Sequence, residues 1–466
     1  MTDVPYSPRR RTAVVLCGSG TAGVYHAGVL KALGEAGIKV DLVAGHGPGV
    51  ANALCAAIDG GARLWDDAGP WASAGPQRAY RWRTALRVFF WGLALAGLLL
   101  ISPALVLVLA AVIYASSALT ALLNFTGASE WLVSIYARLI ALLFDPPILP
   151  TIVPRAVVLA MLVVAGVLVV SAVRAAMDDR SGRRMRGGFW WRLVGAPLGG
   201  DEPGVTLAAA LWRSIRGATA GPTPEVADVG RRYVEVLADN LGQPGFREVV
   251  VAVHDLDGRR DLVGAVLGPQ ARGRFEARRP GSGPREAEAI DFTGPHRDIV
   301  VDFLMGGTRL PVATPPWPMQ FPTESYWRGE LHHVCDRPEL ALRLVEEVGA
   351  LGIEQVILVS PAPPAASPHS LRPRPSDLRS RIGAHVRSIE TAAFDNACAA
   401  AEARFPGVFI IRPAHNALGP FDFGGVFDES SDRTVAPADL MRHGFDDAYD
   451  AFIEPVVAAG ESTDEA

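Results

Sequence analysis

The sequence predicts an α/β fold, with helices on both faces of a mostly parallel sheet, interrupted by a transmembrane helical hairpin. Two observations lead to this prediction. Short, continuous apolar runs alternate with helical stretches towards both ends of the chain, a pattern typical of buried parallel strands. Between them lie two long apolar segments, of which the first runs from Val88 to Ser129 without a charged residue and the second from Ala156 to Val173.

The α/β elements are predicted on both sides of these segments. Residues 1–65 would form the first part of the domain, 66–200 the membrane insertion and 201–466 the remainder of the domain, ending in helices and an acidic tail. Pro48 suits the first turn of a helix, because its missing N–H would be unpaired there anyway. The predicted strands cover Thr12–Cys17, Val40–Ala44, Val249–Gly258, Ile353–Ser360 and Gly407–Pro413, and the predicted helices Gly23–Ala36, Pro48–Ile58, Asp336–Ala350 and Asp377–Ala403.

The insertion is predicted to span a membrane near residues 88–123 and 156–173. A helix needs about 20 apolar residues to cross the hydrocarbon core, where every backbone amide must be bonded internally. Because the first segment is longer than one crossing, two spans are favoured and four are possible. Arginines flank the pair on both sides, and positive residues stay on the cytoplasmic side. We therefore expect the α/β domain on the cytoplasmic side of an inner or equivalent membrane. The flanking arginines are Arg78, Arg81, Arg83 and Arg87 before the pair, and Arg174, Arg180, Arg183, Arg184 and Arg186 after it.

Composition excludes some classes of partner. The chain has 466 residues, 49 % of them hydrophobic, and a formal net charge of −5, so no basic field for nucleic acid is predicted. The four cysteines are far apart in sequence, which predicts neither a zinc site nor a disulfide framework. We expect no cofactor and no metal.

Two glycine-rich turns carry the candidate chemistry. The first follows the first strand and contains Gly18, Ser19, Gly20, Thr21 and Gly23, whose amides at a helix N-terminus favour an anion. The second has the spacing of an elbow between a strand and a helix, which normally presents a nucleophile. Its residues are Gly45, His46, Gly47, Pro48 and Gly49.

The region from Thr12 to Ile58 resembles the start of the patatin-like phospholipases, with an oxyanion loop and then an elbow at similar spacing. The resemblance implies an acyl hydrolase with a Ser-Asp dyad, but this sequence departs from that pattern. Gly47 stands at the nucleophile position, Ala22 replaces the usual basic residue of the oxyanion loop, and matching the region Met305–Pro338 puts Arg328 at the acid position. A rival match uses Asp422, and Asp422 and His415 are secondary candidates for the site.

The remaining polar motifs are expected to have structural rather than catalytic roles. His46 beside the elbow is expected to pack or hydrogen-bond, Thr219 to lie in a loop, and His254, Asp255 and Asp257 to form a turn. A metal cluster made by His332, His333, Cys335 and Asp336 fits no standard zinc spacing.

Three functions follow as hypotheses. The first is a membrane-anchored, catalytically degenerate patatin-like protein that binds or senses a membrane lipid or fatty acid, with Arg328 attracting its anionic group. The second is an active lipid acyl hydrolase that uses non-standard residues. The third is a dinucleotide-binding oxidoreductase, since Gly18, Gly20 and Gly23 also fit G-x-G-x-x-G. A further hypothesis is an interaction scaffold, for which the sequence contains no interface signature.

Overall fold

A computed structural model describes residues 4–66, 69–71, 79–143, 152–177, 195–216, 224–277, 284–366, 377–415, 418–423, 426–428 and 433–458. The strands are β1 Thr12–Leu16, β2 Leu42–Gly45, β3 Glu248–Asp255, β4 Arg260–Val266, β5 Ala289–Asp291, β6 Trp317–Gln320, β7 Leu331–Cys335, β8 Gln355–Val359, β9 Gly407–Ile411, β10 Val426–Asp428 and β11 Arg433–Val435. The helices are α1 Ala22–Glu35, α2 Gly49–Ala56, α3 Thr84–Leu122, α4 Thr126–Leu143, α5 Val153–Met177, α6 Asp201–Ile215, α7 Val226–Asn240, α8 Pro269–Glu276, α9 Val300–Gly307, α10 Leu340–Ala350, α11 Leu378–Glu402 and α12 Pro437–Ala448. The predicted α/β class is confirmed, and each strand and helix predicted from the apolar pattern is present.

The central sheet has the order β5-β4-β3-β2-β1-β8-β9. The block β3-β2-β1-β8-β9 is parallel, as predicted for continuous apolar runs. At β3 antiparallel pairing enters the sheet, because β4 pairs with β3 along Val249–Asp255 and β7 pairs with its end, whereas β5 runs parallel to β4. This arrangement brings the end of β7 towards the carboxyl ends of the parallel strands, where the two glycine turns lie.

Helices cover both faces of the parallel block. On one face, Ala13 and Val15 of β1 share a core with Leu344 of α10 and Phe394 of α11. On the other face α2 lies so close to β1 that a Cβ at Gly49 would be 3.1 Å from the Cβ of Leu16. Alternate side chains of a strand point to opposite faces of the sheet. Because helices cover both faces, all side chains of these strands are buried and their sequences are apolar throughout.

The chain divides into two compact units, Met1–Arg81 with Leu198–Ala466, and Trp82–Pro197. The second unit is built around α3, which is helical from Thr84 to Leu122 and, at about 1.5 Å per residue, about 58 Å long. Its first half packs on α5, where a Cβ at Gly92 would meet the Val164 side chain. Its second half packs on α4, where the Tyr136 hydroxyl donates to the Val106 carbonyl at 3.2 Å. The helical hairpin is therefore one long helix going out and two shorter helices coming back.

Three segments of this unit are long and apolar enough to cross a membrane, namely Thr84–Ser102, Ala104–Leu122 and Val153–Val173. Their side chains are largely exposed, for example Trp91 at 76 % and Leu122 at 83 %.

Candidate functional site

The elbow has the backbone predicted from its glycines but no space for a nucleophile. β2 ends at Gly45, α2 begins at Gly49, and Gly47 between them has a φ of +61°, a conformation in which an L side chain is strained. A Cβ at Gly47 would lie 2.2 Å from the carbonyl oxygen of Gly18. The first glycine loop therefore fills the volume in which a nucleophilic side chain would begin.

The acid beside the elbow is Asp336, which directly follows β7 and is 0 % exposed. Its Oδ2 lies 3.0 Å from the position that a Cβ at Gly47 would take. The prediction that Arg328 holds the acid position is wrong, because Arg328 is exposed in the turn between β6 and β7. The match to the family pattern relied on sequence spacing alone, and it did not anticipate strand β7, which lies between Arg328 and the site.

Asp336 holds two side chains from the two glycine turns. Its Oδ1 accepts from Nδ1 of His46 at 3.0 Å, and its Oδ2 accepts the hydroxyl of Ser19 at 2.6 Å. The exposed fractions of Ser19 and His46 are 2 % and 1 %, so these contacts form away from bulk water, where hydrogen bonds and charges interact strongly. The carboxylate thereby fixes the first loop against the elbow.

The His46 ring is subject to opposing influences. Burial lowers its pKa, but the charge of Asp336 and the hydrogen bond to it raise the pKa more, to about 10. The Gly18 N–H, which points at Nε2 from 3.3 Å, favours the neutral ring instead. The arrangement shown is that of the neutral ring, with Nδ1–H donating to Asp336 and Nε2 accepting from Gly18, and the raised pKa reflects how strongly Asp336 favours a second proton on the ring.

The peptide between Gly18 and Ser19 presents its carbonyl oxygen, rather than its N–H, to Gly47. Its carbonyl oxygen faces Gly47, while its N–H donates at 2.7 Å to Oε1 of Glu390 on α11. Burial raises the pKa of Glu390 to about 7, against the lowering effect of the hydrogen bond from Ser19. The loop amide that was predicted to bind an anion thus already binds a carboxylate of the same chain.

A segment containing Gly419 and Pro420 closes the loop from another side. The Thr21 N–H donates to the Pro420 carbonyl at 3.1 Å, and the Thr21 hydroxyl donates to the Gly419 carbonyl at 3.0 Å. A Cβ at Gly20 would lie 1.7 Å from the Pro420 oxygen. The second glycine of the G-x-G-x-x-G pattern therefore accommodates Pro420, in the space that a pyrophosphate would need.

Of the secondary candidates, Asp422 supports the segment that closes the loop, and His415 is exposed. Asp422 accepts from the Gly419 N–H at 3.1 Å and pairs with Arg379 at 3.7 Å, and His415 is exposed after β9. Thr219 lies outside the described residues.

The histidines at the end of β3 and in β7, which were considered for a turn or a metal cluster, form separate His–Asp pairs. These are His254 with Asp261 at 2.7 Å, His332 with Asp255 at 2.5 Å and His333 with Asp257 at 2.8 Å. Among the residues that the structure describes, no group of three or more His, Cys, Asp or Glu side chains is arranged to hold a metal ion. Asp255 and Asp257 also accept backbone or ring N–H groups in this turn region, as expected for turn-forming residues.

Sequence reasoning missed Glu390. The signal was present, because the buried side of α11 contains Gly383, Val386, Ala393 and Ala397, and Glu390 falls on that apolar stripe. A lone carboxylate among buried apolar positions requires a polar partner. The partner, the Ser19 amide, is far away in sequence.

Comparison with known proteins gives little further information. No family model matches the chain, and no curated protein matches it. Among solved structures, the crystal structure of VipD from Legionella pneumophila aligns over 96 % of this chain and 67 % of that chain, with a TM-score of 0.33 and 11 % sequence identity.

Proposed function

We propose that this protein is a membrane-attached, patatin-like α/β protein that binds the carboxyl end of a membrane lipid or fatty acid and does not hydrolyse esters through its elbow. The observation that supports this most directly is the contact between the Ser19 amide and Glu390. A backbone amide that holds a buried carboxylate at 2.7 Å has the geometry to hold the carboxylate of a ligand. The missing side chain at Gly47 removes the nucleophile that the resemblance implies.

The charges of the site require an exchange of carboxylates. Asp336 and Glu390 are both buried, and His46 donates its Nδ1–H to Asp336. A further anion would add an uncompensated buried charge, which is costly. A ligand carboxylate would therefore take the place of Glu390 and leave the net charge unchanged.

Binding is tested with the full-length protein in detergent and a fluorescent long-chain fatty acid. Glu390→Ala removes the internal competitor for the Ser19 N–H. We expect fatty-acid binding to become about tenfold tighter or more, because binding no longer requires the small population of molecules in which Glu390 has left that N–H. Arg328→Asp is the matched control and should leave affinity unchanged because Arg328 is exposed. Equal affinity in the wild type and Glu390→Ala would refute this binding site.

The apolar helical unit supports the membrane part of the proposal. A groove of about 640 Å³ lies between α3 and α5, with Arg87 at one end and apolar side chains such as Trp91 and Leu159 along it. An arginine beside an apolar groove suits a lipid whose head group is anionic. Largely exposed apolar helices also need a nonaqueous surrounding.

Membrane topology is tested with single introduced cysteines in vesicles, since all four native cysteines are buried. With two crossings, Ser7→Cys and Arg232→Cys should react with an impermeant maleimide from the same side. Asn124→Cys, between α3 and α4, should react from the opposite side. Labelling of all three positions from one side would contradict a spanning hairpin.

A further inference from the structure

We propose that Ser19 is a nucleophile for acyl esters, so that the hydroxyl absent from the elbow is supplied by the neighbouring loop. The Ser19 hydroxyl lies 2.6 Å from Oδ2 of Asp336, and the same oxygen lies 3.0 Å from the position of a Cβ at Gly47. A hydroxyl within hydrogen-bond reach of a base, which a third group orients in turn, is the arrangement that activates a nucleophile. This inference rests on the proposed function only in that it uses the same site, which must open to the acyl chain of an ester but need not hold a free carboxylate.

Each further part of the site has a matching role. His46 is a positioning residue, because its bond to Oδ1 of Asp336 directs Oδ2 towards Ser19. The Ser19 N–H is the oxyanion donor, and Glu390 now occupies it with an oxygen at 2.7 Å, the distance expected for an oxyanion. The structure thus shows the donor with an anion of the chain itself in place of the reaction oxyanion.

The reaction balances with water as the second reactant. The Ser19 hydroxyl transfers its proton to Oδ2 of Asp336 while Oγ bonds to the ester carbonyl carbon. The resulting oxyanion accepts the Ser19 N–H, and when it collapses the ester C–O bond breaks and Asp336 returns the proton to the departing alcohol. Water then attacks the acyl-serine and passes a proton through Asp336, which releases the fatty acid and regenerates the Ser19 hydroxyl.

The arrangement in the structure is a closed one. Ser19 is 2 % exposed, its N–H is occupied by Glu390, and Pro420 accepts the N–H of the nearby Thr21. An ester reaches Ser19 only after Glu390 leaves the amide. This predicts that Glu390→Ala reacts faster than the wild type, whereas a serine that is only structural would gain no reactivity from the change.

The test is labelling of full-length protein with a long-chain alkyl fluorophosphonate, with the modified residue identified by peptide mass spectrometry. We expect the label on Ser19, complete loss of it in Ser19→Ala, and a rate about 100-fold lower in Asp336→Asn, as for removal of a general base. Ser360→Ala is the matched control, because Ser360 is also a buried serine but its hydroxyl accepts the Ala362 N–H. Mapping the label in the wild type needs no variant to fold.

Fatty-acid binding measured on the same preparation separates this inference from the proposed function. Binding without label on Ser19, in the wild type and in Glu390→Ala, overturns the nucleophile and leaves the binding site. Label on Ser19 without fatty-acid binding supports the nucleophile and overturns the binding function. Label on another residue, with none on Ser19, also overturns the nucleophile.

Discussion

The packing of Gly18 against Gly47 predicts that even a methyl group at the elbow is expensive. Gly47→Ala places a Cβ 2.2 Å from the Gly18 oxygen, whereas nonbonded atoms prefer about 3.5 Å, so the loop backbone must move by about 1 Å. Overpacking of this kind costs about 1–3 kcal/mol. Moving the same peptide weakens the charged hydrogen bond from Ser19 to Glu390, worth about 1.5–3 kcal/mol. The positive φ adds about 1 kcal/mol.

Gly37→Ala provides a matched control for this substitution. Gly37 has a φ of +66°, close to the +61° of Gly47, but no described heavy atom lies within 4 Å of a Cβ there. We therefore expect Gly37→Ala to lower the free energy of unfolding by about 1 kcal/mol, from the strain of the positive φ alone. The terms already given sum to a loss of about 3.5–7 kcal/mol of stability for Gly47→Ala, the upper value applying if the Ser19–Glu390 hydrogen bond is lost entirely.

The measurement is thermal unfolding of both variants and the wild type in the same detergent, with loss of secondary structure as the signal. The midpoint of Gly47→Ala should fall several degrees below that of Gly37→Ala. If the two variants unfold together, Gly18 does not fill the elbow and the reasoning fails. The same geometry predicts that Gly47→Ser does not gain a fluorophosphonate label at residue 47, because the Gly18 carbonyl oxygen occupies the space that the serine Cβ would need.

Two further predictions concern buried charges. The pKa of Glu390 is raised by burial from 4.5 to about 7. The contribution of Glu390 to stability is therefore fully present below pH 4.5 and is lost as the pH rises through 7, by about 3 kcal/mol at 1.36 kcal/mol per unit. Glu390→Gln should remove this part of the pH dependence of the unfolding midpoint, and a variant curve parallel to that of the wild type would contradict it. Glu347→Ala leaves the buried Arg285 without its bidentate partner and should cost about 3–5 kcal/mol, whereas Asp66→Ala, in an exposed pair, should cost under about 1 kcal/mol by the same unfolding assay. Similar losses in both would show that burial of the pair adds nothing.

Local pattern was sufficient for much of the fold. β1, the Gly18 turn and α1 are contiguous, and so are β2, the elbow and α2, so apolar periodicity and glycine placement predict them without distant contacts. The apolar helices can also be predicted from local sequence, because length and the absence of charge decide whether a helix suits a membrane. The empty position at Gly47 also follows from the sequence, since a glycine has no side chain wherever it lies.

The composition of the site depended on contacts between distant parts of the chain. Asp336 was assigned only to a weak metal motif, because nothing in its neighbourhood shows that β7 pairs antiparallel with the end of β3 and delivers it to the elbow. Spacing pointed to Arg328, which an intervening strand removes from the site. Side-chain periodicity in a helix shows that Glu390 faces inward but not which group it meets.

Sequence alone therefore determined the strands, the helices, the apolar insertion and the loss of a side chain at the elbow, because each depends on residues that are neighbours along the chain. Only the tertiary structure decided which polar atoms meet around that elbow. The Ser19 hydroxyl reaches Asp336 and the Ser19 amide reaches Glu390 across 317 and 371 positions of sequence. Such pairs arise when separate strands and helices pack into one sheet, and no local pattern encodes the register of that packing.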